Sequence, residues 1–135
     1  MSKHRTPSEK SKYYLPKETF LTVIHYCKQY PLWIAELALH TDALGGIDYK
    51  KERVQTSDDG DSTSSIAIKR AAVSKKKDLV DSVAREVAGD YDQWVILGTC
   101  YDLPYYQLAH RGIPFGKDLY YKLRRTFYFE LAKRI

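Results

Sequence analysis

The side chains best suited to chemistry crowd the C-terminal end. Residues 108–135 hold seven bases, Arg111, Lys117, Lys122, Arg124, Arg125, Lys133 and Arg134, against two acids, Asp118 and Glu130. Residues 1–107 hold 15 Lys+Arg and 15 Asp+Glu, so the net charge of +5 sits in this last stretch. Tyrosines interleave the bases: Tyr120, Tyr121 and Tyr128. Charge gathered on one element is the electrostatic footprint of a phosphate-binding surface. The bland alternative is a solvated helix face balanced by partners elsewhere. Arginine forks onto guanine, lysine neutralises phosphate, and a phenol hydroxyl binds a backbone oxygen. The candidate DNA-contacting residues are therefore Arg111, Lys117, Tyr120, Tyr121, Lys122, Arg124, Arg125 and Tyr128.

Position along a helix decides whether these groups can act together. Residues 117–134 read as a final helix of about five turns. At 100° per residue, Tyr120, Leu123, Phe127 and Leu131 fall on one side, the expected core face. Lys117, Tyr121, Arg125 and Tyr128 fall opposite, with Arg124 at the margin and Lys122 beyond. A short helix, 104–111, precedes it, opened by Pro104 and stopped by Gly112. Ile113-Pro114-Phe115-Gly116 cannot be helical throughout. Short helix, glycine turn and longer basic helix is the helix-turn-helix order, and an α-helix fits the major groove of B-DNA.

The rest of the chain reads as an all-α scaffold. Residues 1–12 are polar and read as a disordered arm. Phe20, Val23, Ile24 and Cys27 (i, i+3, i+4, i+7) form one helical stripe. Pro31 breaks or kinks that helix, so 16–43 reads as a two-piece helix ended by Gly45-Gly46. The acidic, serine-rich run after it lacks periodicity, which makes 45–62 a mobile loop. It also lacks the terminal glutamate of a calcium loop. Ile66, Val73, Val80 and Val87 then recur every seven residues, with Ala72, Leu79 and Val83 beside the seam. A heptad seam marks a helix packed along one neighbour, here the 16–43 helix, either within the chain or across a homodimer through residues 62–88. The predicted organisation is a disordered arm 1–12, a helical hairpin 13–88 with its mobile loop, and a helix-turn-helix region 89–135.

The run Ile113-Pro-Phe-Gly-Lys-Asp-Leu-Tyr-Tyr-Lys-Leu-Arg-Arg-Thr-Phe-Tyr resembles the C-terminal motif of small phage-encoded late-gene transcription regulators of the RinA and ArpU type. Tyr13 to Glu18 resembles the Tyr-Tyr-Leu-Pro-Lys-Glu-like segment that accompanies it. The C-terminal part of those proteins is similar to the promoter-reading helix-turn-helix of sigma factors. The resemblance implies DNA-binding transcription regulation of phage or mobile-element genes, with RNA polymerase as a further partner. It places Lys117, Tyr120, Arg124 and Arg125 in a recognition helix. This chain departs from a sigma-type helix in being tyrosine-rich and lacking its small-residue pattern.

Other functions are less well served. His4, His25, His40 and His110 are scattered, and His25 and Cys27, two apart on a helix, diverge. No nucleophile elbow, Walker loop, HExxH or glycine-rich fingerprint occurs. Asp90, Asp92 and Asp102 could be imagined as a two-metal set, but Asp90 and Asp92 better suit the N-terminus of the helix that follows them. No enzyme activity and no cofactor or metal is expected. Cys27 and Cys100 read as small buried thiols, with a disulfide as the alternative. No apolar run could span a membrane or serve as a signal sequence, so a cytoplasmic location is expected. Two rivals to transcription regulation remain: a small DNA-packaging subunit of a phage, and an inhibitor module whose basic helix docks on an acidic protein.

Overall fold

In a computed structural model of the chain, residues 8–46 and 57–135 are described, with side chains over 8–39 and 65–135. The described residues are helical with no strand. Six helices follow in order: α1 (Lys17–Lys28), α2 (Tyr30–Gly46), α3 (Ser57–Ala88), α4 (Asp92–Thr99), α5 (Tyr105–His110) and α6 (Lys117–Ala132), with a 3-10 turn at Gly89–Tyr91. No described helix is long and apolar enough to cross a membrane.

The chain divides into two compact units, one built from residues 1–30 and 79–135 and the other from 31–78. In the first, α1 packs on α6 and α4, and α4 packs in turn on α5 and α6. The α1 stripe read from the sequence is what this core buries: Phe20, Val23, Ile24 and Cys27 are all inside. Burial of each large apolar side chain of this kind contributes about 2 kcal/mol. Facing them are Val95, Ile96, Thr99 and Cys100 around α4, Leu108 of α5, and Tyr120, Phe127, Tyr128 and Leu131 of α6. The Phe20 ring meets Tyr128 edge-on, centroids 5.6 Å apart. Asp92, first residue of α4, lies against Arg85 at 3.4 Å and favours the positive end of its own helix.

In the second unit, Trp33 and Val73 are buried, whereas Leu32, Leu39 and Ile68 stand about two-thirds exposed. The break expected at Pro31 falls at Gln29, and Pro31 occupies the first turn of α2, where its missing N–H costs nothing.

Three features differ from expectation. Helix α3 begins at Ser57, so the loop expected over 45–62 overlaps helix at both ends; residues 47–56 lie outside the described residues. Ser8–Lys12, expected as part of the disordered arm, turns back on itself: Ser11 N–H bonds the Ser8 carbonyl, Tyr14 N–H the Ser11 carbonyl, and Tyr13 N–H the Ser11 hydroxyl. Residues 1–7 of that arm lie outside the described residues. Finally, Val80 and Val83 of the heptad seam are fully buried within the chain's own first unit. That half of the seam is therefore not available to a homodimer through 62–88.

Candidate nucleic-acid interface

The turn before α6 is built by backbone rules that the sequence carries. Gly112 adopts φ +94°, a conformation that a side chain would strain. It lets α5 close in a Schellman arrangement: Gly112 N–H bonds the Ala109 carbonyl and Ile113 N–H the Leu108 carbonyl, each at 3.1 Å. The Tyr105 hydroxyl then donates to the Phe115 carbonyl at 2.9 Å and ties the turn to α5. Tyr91 meets the Phe115 ring edge-on at 5.0 Å. Tyr105 also lies against Tyr120, centroids 5.8 Å apart, so the first residue of α5 touches the first turn of α6. Short helix, turn and basic helix thus follow in the expected order.

Of the core stripe expected on helix α6, Tyr120, Phe127 and Leu131 are buried and Leu123 is half-buried. Two candidate DNA contacts are corrected by that burial. Tyr128, placed on the outward face, is only 3% exposed, and Tyr120, included among the contacts, is 1% exposed. Neither phenol can reach a ligand. The reason is helical phase: Tyr128 follows Phe127 by one residue, and the α1 surface against it, Phe20 above all, is wide enough to bury both. Burial pushes the Tyr120 phenol up to about 12. The Tyr128 phenol is likewise raised, by the same desolvation. Gly98 of α4 makes room for Tyr120, whose hydroxyl takes the space that a Cβ there would need.

The remaining candidates stay at the surface. Arg111, Lys117, Lys122 and Arg125 are exposed, and Tyr121 and Arg124 are half-buried. The Arg124 guanidinium lies over the Tyr121 ring, 4.7 Å from its centroid, a cation–π contact that leaves its charge without a carboxylate. Ion pairs occupy the other two bases of this region: Lys133 with Glu130 at 3.4 Å, and Arg134 with Glu86. Among the described residues, no carboxylate pairs with Arg111, Lys117, Lys122, Arg124 or Arg125.

A further group joins this surface from far away in sequence. Tyr13 sits edge-on against Phe129 of α6, centroids 5.8 Å apart, with the Lys12 ammonium 5.1 Å above its ring. Phe129 carries Lys133 on its own ring at 4.6 Å. The sequence by itself assigns Lys12 to a disordered arm. The available signal was Phe129 itself, an aromatic residue on the polar side of α6 that needed a cover.

Among the described residues no cluster of three or more His, Cys, Asp or Glu could hold a metal ion. The acidic run 58–61, weighed above as a calcium loop, falls in α3 with its side chains outside the described residues. Cys27 and Cys100 are both buried free thiols. No family model, no curated protein and no solved structure matches the chain.

Proposed function

We propose that this chain is a DNA-binding transcription regulator that lays the outward face of α6 against duplex DNA. One observation carries the reading: five bases, Arg111, Lys117, Lys122, Arg124 and Arg125, sit on one helix and the turn before it, without carboxylate partners among the described residues, while Lys133 and Arg134 beside them are paired. A solvated helix that served only packing would gain from neutralising those charges. Arg124, resting over the Tyr121 ring, keeps a guanidinium suited to a planar acceptor such as a base edge or a phosphate. The resemblance to phage late-gene regulators, resting on the two short motifs quoted above, supports the regulatory role and an origin in phage or mobile elements.

A salt titration tests the reading. Five phosphate contacts predict a log–log slope of about −4.5, so that raising salt fourfold weakens binding roughly 500-fold. Fluorescence anisotropy of a labelled duplex measures it. Arg125→Ala makes the slope shallower by about 0.9, while Lys133→Ala, whose ammonium is already paired, leaves it unchanged. Equal effects from the two variants, or no salt-dependent binding at all, refute the assignment. Partners pulled from nuclease-treated extract by a chain that ignores DNA would favour a protein target instead.

A further inference from the structure

Helix α3 carries a second cationic stretch, within the unit built from residues 31–78. Residues 62–77 hold Lys69, Arg70, Lys75, Lys76 and Lys77 and no acid; Asp61 precedes the stretch and Asp78 closes it. The even charge balance of residues 1–107 conceals it, because the balancing acids stand elsewhere in the sequence.

Helical geometry gathers three of these bases round one small residue. Val73 is buried and marks the inner side of α3 in this unit. Ala72, one residue before it, is exposed. On an α-helix the surface neighbours of a residue are those three and four positions away, with Cβ atoms about 5–6 Å apart. For Ala72 these are Ile68, Lys69, Lys75 and Lys76, and all four are exposed. Ala72 is thus a low floor with three ammonium groups on its rim. No carboxylate stands three or four residues from Lys69 or Lys76, and Lys75 has Asp78 at that spacing. Among the described residues no ion pair engages any of the three lysines. Three cations converging on one floor without a counterion repel one another, and an anion seated there reverses the sign.

We propose that Lys69, Lys75 and Lys76, set round Ala72, form a second surface for the phosphate backbone of DNA. The choice of DNA as the polyanion rests on the reading of α6, which this surface extends to another unit of the chain. A helix that lies on a membrane offers large apolar side chains beside its cations; here the one apolar neighbour is Ile68, and a methyl group forms the floor. Ammonium groups contact phosphate whatever the base sequence, so α3 adds affinity and leaves base choice to α6.

Salt titration of a long labelled duplex by anisotropy tests this, using the full chain with helicity checked by circular dichroism. Three phosphates on α3 added to five on α6 steepen the log–log slope from about −4.5 to about −7. Ala72→Glu sets a carboxylate among the three lysines and should make the slope shallower by about 2.7; it suits a helix, since Glu four residues before Lys76 supports one. Ala67→Glu makes the same change in net charge on an exposed residue of the same helix with none of these lysines as a neighbour, and should leave the slope unchanged. Lys75→Gln should remove about 0.9. Equal effects from Ala72→Glu and Ala67→Glu would mean that net charge alone is felt, and would overturn the site. So would an Ala72→Glu variant that binds like the unaltered chain while Arg125→Ala is weakened, and in that case the reading of α6 survives. The opposite pattern removes α6 and keeps α3. Retention by anionic lipid vesicles that Ala72→Glu abolishes, with duplex binding unaltered, would assign the surface to lipid and overturn the proposal. A wild-type chain that ignores the duplex sinks both surfaces.

Discussion

Gly98→Ala should destabilise this protein, against the usual preference for alanine in a helix. Gly98 lies inside α4, where alanine is worth about 1 kcal/mol over glycine. Its φ is not positive, so backbone strain plays no part. The obstacle is Tyr120. A Cβ on residue 98 would lie 1.7 Å from the Tyr120 hydroxyl oxygen, 2.7 Å from Cζ and 3.0 Å from Cε1. All three contacts involve one side chain, which is 1% exposed and bounded by the rings of Tyr105 and Tyr121. It cannot swing into solvent, so α4 and α6 must move apart or the ring must leave its rotamer. Overpacking of this kind costs about 1–3 kcal/mol and here sits at the upper end, since the overlap exceeds an ångström. After the helix gain, a net loss of about 2 kcal/mol remains. For a chain of this size that lowers the melting temperature by roughly 6–8 °C, read by circular dichroism at 222 nm. A second substitution makes the reasoning specific. The Tyr120 hydroxyl is buried without a hydrogen-bond partner, so Tyr120→Phe alone should be neutral or stabilising by up to about 1 kcal/mol. Combined with Gly98→Ala, it removes the closest contact and should restore at least about 1 kcal/mol of the loss. A Gly98→Ala variant that melts at or above the wild type would refute the packing of α4 on α6 as described.

Two further outcomes follow from the same core. Burial lifts the Tyr120 phenol to about 12 from about 10, and Tyr30 and Tyr128 are raised as well. The unfolded chain therefore releases these protons first, so the stability they contribute is intact below pH 10 and falls as pH rises toward 12. Tyr120 alone accounts for about 3 kcal/mol over those two pH units; urea unfolding at pH 9 and pH 11.5 measures it, and an equally steep decline in Tyr120→Phe would count against the assignment. Gly112→Ala meets no atom within 4 Å, so its cost is purely that of φ +94°. It should lower stability by about 1–2 kcal/mol, and an unchanged urea midpoint would mean that the turn into α6 does not use this conformation.

What the sequence disclosed depended on whether neighbours had to be known. The α1 stripe, the stops at Gly89 and Gly112 and the core positions Tyr120, Phe127 and Leu131 follow from periodicity and backbone rules, and each is found in place. For Tyr128 a helical wheel gives phase but not the width of the surface that covers it; with Phe20 set edge-on at 5.6 Å, that surface extends one residue further round the helix. Of the heptad seam, Val73, Val80 and Val83 are buried, Ile66, Leu79 and Val87 half-buried and Ala72 exposed, and the spacing alone does not choose between the 16–43 helix of the same chain and that of a second copy. Val80 and Val83 are consumed inside the chain, and nothing in a seven-residue spacing distinguishes that from a dimer. Lys12 was lost because its place is fixed by a contact between Tyr13 and Phe129, 116 positions apart, which no local pattern encodes.

The tyrosine content of α6 bears on the proposed DNA contact. Of its three phenols, two are buried and the third, Tyr121, serves as the plate on which Arg124 lies. The aromatic richness that sets this helix apart from a sigma-type helix is thus mostly internal. The surface it leaves is cationic, with Lys117, Lys122 and Arg125 exposed and Arg124 resting over Tyr121. Under the proposed function, exposed lysines around one guanidinium held by a ring favour phosphate contact over dense base reading. Substituting Arg124 should therefore change discrimination between cognate and unrelated duplexes, whereas substituting Lys122 should weaken both alike.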